Sequence, residues 1–172
     1  MNQFPWHTDC SYEASPPRFF ALQVLQNDKC GGGTFSILNV ERLLHHVRPS
    51  TREALSRLEY CITVPPEFRK TDQSSIIGCV TAYSELSQAG LVRFREDIIT
   101  PLTADASAAL KELKDVLQSP EAQKEVLHLT SDLMPSGTII LMDNCRWLHG
   151  RNEVKDPNRH LRRIRWNPIP FN

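Results

Sequence analysis

Short apolar runs of strand length recur along the chain and are separated by turn residues. One covers residues 18–26 after a Ser-Pro-Pro break, and another covers residues 138–142 after a Pro-Ser-Gly turn. A third, residues 34–38, follows three consecutive glycines. Runs of this length, bounded by Gly, Pro and Ser, are typical of β-strands. The pattern therefore predicts strands near both ends of the chain.

Helical spacing and capping residues dominate the middle of the chain. Asn39 is a suitable N-cap for a helix over residues 40–46, and residues 103–117 carry leucines at helical spacing. We predict a mainly β fold of the α+β class. It forms a single domain over residues 1–172, with a helical insertion at about 40–130.

Two more helices are predicted from their capping residues. Ser50 and Glu53 have the spacing of a capping box, which predicts a helix ending near residue 59. Ser119 followed by Pro120 predicts a helix that runs to about residue 129.

Composition excludes several classes of partner. Twenty acidic and twenty basic residues give zero formal charge, so no nucleic-acid or membrane partner is expected. No apolar stretch reaches the roughly 18 residues of a membrane helix, and the start lacks the pattern of a signal peptide. Five cysteines without a C-x-x-C pair indicate reduced thiols and a cytoplasmic protein. The composition does not predict an oligomeric state.

The sequence His7-Thr8-Asp9 and the distant His149 are candidate metal ligands. Side chains at i and i+2 of an extended segment point to one face, so His7 and Asp9 could converge on one ion. Two imidazoles and one carboxylate form the open ligand set of non-haem iron(II) oxygenases. The triplet alone is a weak signal, because a surface or capping His and Asp would look the same.

A basic segment follows His149 by ten residues. If residues 159–166 form a strand, Arg159, Leu161, Arg163 and Arg165 share one face. Inward-facing arginines are costly unless an anion pairs with them, and guanidinium suits a carboxylate. The alternative is a solvated basic edge strand. Because the basic segment follows a candidate metal ligand, we favour the interpretation as an anion-binding site.

Several motifs together resemble the taurine dioxygenase-like (TauD/TfdA) family, including its γ-butyrobetaine hydroxylase branch. They are Pro5-Trp6-His7-Thr8-Asp9, Gly32-Gly33-Thr34, residues 143–151 (Asp-Asn-Cys-Arg-Trp-Leu-His-Gly-Arg) and Asn158-Arg159-His160-Leu161. The resemblance spans residues 4–168 and implies a double-stranded β-helix (jelly roll). Because family members carry a longer segment before the H-x-D triplet, we expect the jelly roll to be incomplete at its N-terminal end.

The resemblance implies an iron(II)- and 2-oxoglutarate-dependent dioxygenase with His7, Asp9 and His149 as the metal ligands. Such enzymes use dioxygen to oxidise a C–H bond and release succinate and carbon dioxide. The substrate is expected to be a small, carboxylate-bearing molecule. No general base is required, so no catalytic residue is expected beyond the metal ligands.

The resemblance also assigns the co-substrate contacts. Thr34 and Arg159 match the family residues that hold the distal carboxylate of 2-oxoglutarate. Arg163 matches a second arginine that contacts the substrate anion or the co-substrate in several members. Either arginine could make the main salt bridge.

Two other functions stay open at this point. One is a non-catalytic relative that binds a metal or ligand. The other is a zinc hydrolase with the same ligands, which would need a general base but not Thr34 or Arg159.

Overall fold

The computed structural model describes residues 2–85 and 89–167, which form mostly short strands with four α-helices. The strands are β1 Phe4–His7, β2 Phe19–Gln26, β3 Phe35–Asn39, β4 Tyr60–Thr63, β5 Ser75–Gly78, β6 Thr81–Ser84, β7 Ala89–Val92, β8 Ile99–Pro101, β9 Leu127–Leu129, β10 Ile139–Asp143, β11 Trp147–Arg151 and β12 His160–Trp166. The helices are α1 Val40–His45, α2 Pro49–Leu55, α3 Ala104–Leu117 and α4 Pro120–Lys124. The mainly β prediction is confirmed.

Two antiparallel sheets bring the ends of the chain together. One has the strand order β1-β11-β3-β9, and the other has the order β10-β2-β12. Alternate residues of β2 (Phe20, Leu22 and Val24) are buried, and they belong to one apolar cluster with Phe35 of β3 and Met142 of β10. Large apolar side chains at alternate positions are what a strand with one inward face produces, and the small Ala21 between them is buried too. The cluster therefore joins the two sheets.

The segment between residues 40 and 130 holds helices and strands together. Besides α1–α4 it contains a sheet of order β5-β4-β8, the hairpin β6-β7 and β9. Its core is a second, larger cluster in which Leu110, Leu113 and Leu117 of α3 pack with Leu55 and Tyr60. The helical spacing of the α3 leucines is thus explained by burial.

The capping predictions have mixed outcomes. The Asn39 side chain accepts hydrogen bonds from the backbone N–H groups of Glu41 and Arg42, which confirms the start of α1. The capping box at Ser50 is wrong. Helix α2 begins at Pro49 and ends at Leu55, and the backbone N–H of Arg48 donates to the distant Glu112 carboxylate.

The last predicted helix is shorter than expected. Ser119 caps α4 as predicted, but the helix ends at Lys124. Residues 127–129 instead form β9, which pairs with β3. Sheet pairing to a distant strand outweighs local helical preference here. No helix in residues 2–85 or 89–167 is both long and apolar enough to cross a membrane.

Candidate metal centre

Strand pairing places the two candidate imidazoles side by side. β1 pairs antiparallel with β11 so that His7 lies opposite His149. Their ring centroids are 4.2 Å apart. The ring of His149 also lies against Phe20 and Phe35 at the edge of the apolar cluster. The pairing joins the two sequence motifs at one point of the sheet.

Asp9 is positioned differently from the expected continuous strand. β1 ends at His7, and Asp9 lies in the turn that follows, before Cys10 with φ 53°. The Asp9 N–H donates to the Asn144 side-chain oxygen at 2.7 Å, and the Asn144 amide donates to the Asp9 carbonyl at 2.9 Å. Asn144 is fully buried and also donates to the Pro17 carbonyl. Side-chain hydrogen bonds from Asn144, rather than strand periodicity, therefore hold the backbone of Asp9.

His7, Asp9 and His149 offer ligand atoms that all lie within 4.8 Å of one another. The Asp9 Oδ1 atom is 3.4 Å from His149 Nε2 and 3.7 Å from His7 Nε2. All three residues are buried, and both Nε2 atoms lack a hydrogen-bond partner. A buried polar atom without a partner is costly. A cation among these atoms would satisfy both nitrogens, so the residues fit a metal ion.

Protonation also suits metal binding. His7 Nδ1 lies 2.9 Å from the Pro5 carbonyl, which can only accept, so Nδ1 carries the proton and Nε2 has a free lone pair in the neutral ring. Burial lowers the pKa of His149 to about 4, which keeps this imidazole neutral near pH 7. Burial acts to raise the pKa of Asp9, but the nearby His149 and His7 and the charge of Arg163 outweigh it and hold the pKa well below its usual range.

Two arginines of β12 neutralise the Asp9 carboxylate. Arg163 Nη1 donates to Oδ1 at 2.5 Å, and Arg165 Nε donates to Oδ2 at 2.9 Å. In the register of β12 with β2, these arginines lie opposite the buried residues Leu22 and Phe20. Sequence reasoning placed both on this face. It assigned a role to Arg163 and missed the contact of Arg165.

A cavity of about 360 Å³ opens beside the three candidate ligands. It reaches His7, Asp9 and the two arginines of β12, and Arg95 also lines it. Aromatic side chains form part of its wall; they include Tyr12 and Phe68, which stack at 5.0 Å. The cavity offers a guanidinium-rich, partly apolar space directly next to the candidate metal ligands.

Thr34 and Arg159 lie elsewhere, at two loops that are tied to each other. The Arg159 side chain lies so close to Gly33 that a Cβ there would be 2.7 Å from its Nε. Thr34 follows that glycine, and its N–H donates to the Asn152 side chain at 2.7 Å. Neither Thr34 nor Arg159 lines the cavity beside Asp9. The structure thus brings Thr34 and Arg159 to neighbouring loops.

Asp28 is the residue that ties these loops together, and sequence reasoning missed it. Its buried carboxylate accepts four backbone N–H groups: Cys30 and Gly32 on one oxygen, and Lys155 and Asp156 on the other. Burial acts to raise the pKa of Asp28, but these four hydrogen bonds outweigh it and lower the pKa to about 2. An Asp followed by a glycine turn is a local signal for the first two bonds. The other two link the loop to the stretch just before Arg159.

Solved structures with a similar fold are iron oxygenases. Asparagine oxygenase in complex with Fe(II), 2S,3S-3-hydroxyasparagine and succinate aligns with a TM-score of 0.78 and 22% identity, over 96% of this chain and 50% of that one. The non-heme iron oxygenase OrfP in complex with Fe and alpha-ketoglutaric acid aligns with a TM-score of 0.75 and 19% identity, over the same shares. These likenesses show that the chain has the jelly-roll fold of these oxygenases.

A curated relative is similar in sequence. The 3-((Z)-2-isocyanoethenyl)-1H-indole synthase of Fischerella ambigua (strain UTEX 1903) is 27% identical over 175 residues. The match covers 93% of this chain and 62% of that relative. The profile of the taurine catabolism dioxygenase TauD, TfdA family matches residues 1–165. The chain therefore belongs to the TauD/TfdA family of oxygenases.

Proposed function

We propose that this chain forms the iron(II) centre of a 2-oxoglutarate-dependent dioxygenase, with His7, Asp9 and His149 as the metal ligands. The observation that carries the proposal is the buried cluster of these side chains, in which both imidazole Nε2 atoms are unpartnered. Two nitrogens and one carboxylate, without a thiolate, suit iron(II) and leave coordination positions for co-substrate and dioxygen. Iron bound there would supply oxidation of a substrate C–H bond, with succinate and carbon dioxide as co-products.

The co-substrate proposal rests on two arginines and Thr34. Arg159 is half-buried, and no carboxylate of the described residues lies within 4.0 Å of its guanidinium. Burial lowers the pKa of Arg159, as does the nearby charge of Arg151, so an anion would be stabilising there. We propose that Arg159 and Thr34 bind the distal carboxylate of 2-oxoglutarate, and that Arg163 assists. The alpha-ketoglutaric acid bound in OrfP is consistent with this co-substrate.

We propose a small, carboxylate-bearing molecule as the substrate. Arg163, Arg165 and Arg95 place three guanidinium groups on the cavity of about 360 Å³. Asp9 pairs with the first two and Asp97 with the third, and their remaining N–H groups can donate to an anionic group. Arg163 is the residue we assign to substrate contact. The asparagine oxygenase and OrfP complexes hold 2S,3S-3-hydroxyasparagine and (3S)-hydroxy-L-Arg, which are also small, carboxylate-bearing molecules. Free thiols at all five cysteines support a cytoplasmic location for this chain, which we propose to be a single domain.

Iron(II) and 2-oxoglutarate binding can be tested without knowing the substrate. A 2-oxo acid chelated to iron(II) gives a visible charge-transfer band, so an anaerobic titration of the 172-residue chain should develop that band. Asp9→Ala and His149→Ala should abolish it. The matched control is His160→Ala, which removes an exposed imidazole on β12.

Turnover distinguishes the proposal from its alternatives. With iron(II), ascorbate and 2-oxoglutarate in air, we expect slow succinate formation that Arg159→Ala reduces. A charge-transfer band without any succinate would identify a non-catalytic relative. Zinc-dependent hydrolysis that is insensitive to Arg159→Ala would contradict the proposal and identify a hydrolase.

A further inference from the structure

We propose that Arg165 is a positioning residue of the metal centre. Its guanidinium holds Oδ2 of Asp9, so that Oδ1 alone faces the two imidazoles. This inference rests on the proposed function, because it concerns how Asp9 is presented to the metal. It assigns to Arg165 and Arg163 opposite effects on metal affinity, although both contact the same carboxylate.

The two arginines use different oxygens. Oδ1 is the oxygen that lies 3.4 Å and 3.7 Å from the His149 and His7 Nε2 atoms, and Arg163 Nη1 donates to it at 2.5 Å. Oδ2 accepts from Arg165 Nε at 2.9 Å. A cation shared with the two histidines must use a lone pair of Oδ1. Arg163 therefore shares its oxygen with the metal, whereas Arg165 holds the oxygen that the metal does not need.

Arg165 constrains the Asp9 carboxylate through the oxygen that the metal does not need, whereas Arg163 binds the oxygen that the metal would use. Asn144 fixes the backbone N–H and carbonyl of Asp9, but these bonds leave the carboxylate free to rotate about its Cβ–Cγ bond. A partial rotation of the carboxylate would offer both oxygens, or neither, to a metal ion held by the imidazoles. The hydrogen bond from Arg165 opposes that rotation. Groups that orient a metal ligand in this way typically change metal affinity by about 10- to 100-fold.

The strand register explains why Arg165 can act as a fixed support. β12 pairs with β2 along its length, and Arg165 lies opposite Phe20, which is fully buried. β2 is the central strand of its sheet, with β10 on the other side. The backbone of Arg165 is therefore held by the sheet core. Its side chain leaves that backbone toward Asp9.

The sign of the effect separates positioning from simple charge. A guanidinium near a divalent cation repels it, so removing the charge of Arg165 should strengthen metal binding if charge were its main influence. Loss of an orienting hydrogen bond should weaken binding instead. For Arg163, removal of the charge and removal of a competitor for Oδ1 both favour equal or tighter binding.

The experiment is an anaerobic titration with cobalt(II), an iron(II) stand-in that is followed by its d–d absorption. We expect Arg165→Gln to weaken binding about 10-fold and to alter the cobalt spectrum, because the carboxylate can then rotate. Arg163→Gln should bind as tightly as the wild type or more tightly. The matched control is Arg162→Gln, since Arg162 is exposed on the opposite face of β12, and it should leave affinity unchanged.

Arg165→Lys guards against a folding artefact, because lysine keeps the charge and can still donate one hydrogen bond to Oδ2. We expect its cobalt affinity to lie between those of the wild type and Arg165→Gln, with an unchanged thermal unfolding midpoint. Affinity in Arg165→Gln equal to or above the wild-type value would overturn the positioning role alone. A wild-type chain that binds neither cobalt(II) nor iron(II) would overturn the proposed function as well.

Discussion

Two buried aspartates, Asp9 and Asp28, solve the problem of a buried charge in different ways. Asp28 accepts four backbone N–H groups, which are fixed by the fold and leave its carboxylate saturated. Asp9 is neutralised by the side chains of Arg163 and Arg165 and faces two imidazole nitrogens without partners. A carboxylate saturated by backbone donors is structural. One that is held by partly exposed side chains, next to unpartnered nitrogens, remains available for a ligand.

The largest effect on stability is expected when the Asp28 carboxylate is removed. Asp28→Ala leaves four backbone N–H groups without their acceptor, and two of them belong to the buried residues Gly32 and Asp156. We therefore expect a loss of roughly 4 kcal/mol in the free energy of unfolding. Asp9→Asn keeps acceptor and donor capacity and should cost about 1 kcal/mol, while it abolishes metal binding. Urea denaturation with a cobalt(II) titration measures both quantities. Equal stability losses in the two variants would contradict the distinction.

Removing the support of the Asp9 backbone should affect both stability and metal binding. Asn144→Ala deletes three buried hydrogen bonds and leaves a small void, which we expect to cost about 3 kcal/mol. Metal affinity should fall as well, because the Asp9 turn is then free to move. The matched control is Asn158→Ala, an exposed change in the loop before β12. Undiminished cobalt affinity in a folded Asn144→Ala protein would show that the turn is held by other contacts.

Lowering the pH should test whether the hydrogen bonds to ionised Asp28 stabilise the folded state. Its folded pKa of about 2 lies below its ordinary value of 3.8, so the ionised carboxylate stabilises the folded state. This contribution is complete above pH 3.8, declines as the pH falls toward 2 and is absent below that. Urea unfolding of Asp28→Asn should therefore show a flatter pH dependence between pH 4 and 2 than the wild type. Parallel profiles would show that Asp28 is not stabilised in this way.

The glycines of the Asp28 loop allow a smaller test. Gly31 and Gly33 both have positive φ, but only at Gly33 would a Cβ collide with Arg159. Each Ala substitution should cost about 1 kcal/mol through backbone strain. Gly33→Ala should in addition weaken 2-oxoglutarate binding by displacing Arg159. Indistinguishable 2-oxoglutarate affinities in the two variants would argue against a co-substrate role for Arg159.

Local sequence signals predicted the parts of this molecule that local interactions determine. The Asn39 cap and the leucine spacing of α3 were found correctly, because a helix N-terminus and a helix face are readable within a few residues. The Ser50 capping box failed because Glu112, far along the chain, supplies the acceptor. The H-x-D triplet was placed on a continuous strand, although Asn144 holds Asp9 in a turn.

The residues that support the candidate site, Arg165 and Asp28, could not be predicted from local sequence signals. Arg165 lies on the predicted inward face, but its contact with Asp9 depends on the register of β12 against β2. Two of the four hydrogen bonds to Asp28 come from its own loop. The other two come from Lys155 and Asp156, which lie 127 and 128 positions further along the chain. Contacts of that separation leave no periodicity in either segment. A single sequence can therefore propose candidate ligands more readily than the residues that hold them in place.

The pairing of β1 with β11 has a consequence for biosynthesis. Because His7 and His149 lie near opposite ends of the described residues, the proposed ligand set is complete only after His149 has been synthesised. Closing so long a loop is entropically slow, so the centre should assemble late in folding. Metal binding would then require that β1 and β11 have already paired. A nascent chain that stalls before His149 would offer only His7 and Asp9, and two ligands would bind iron poorly.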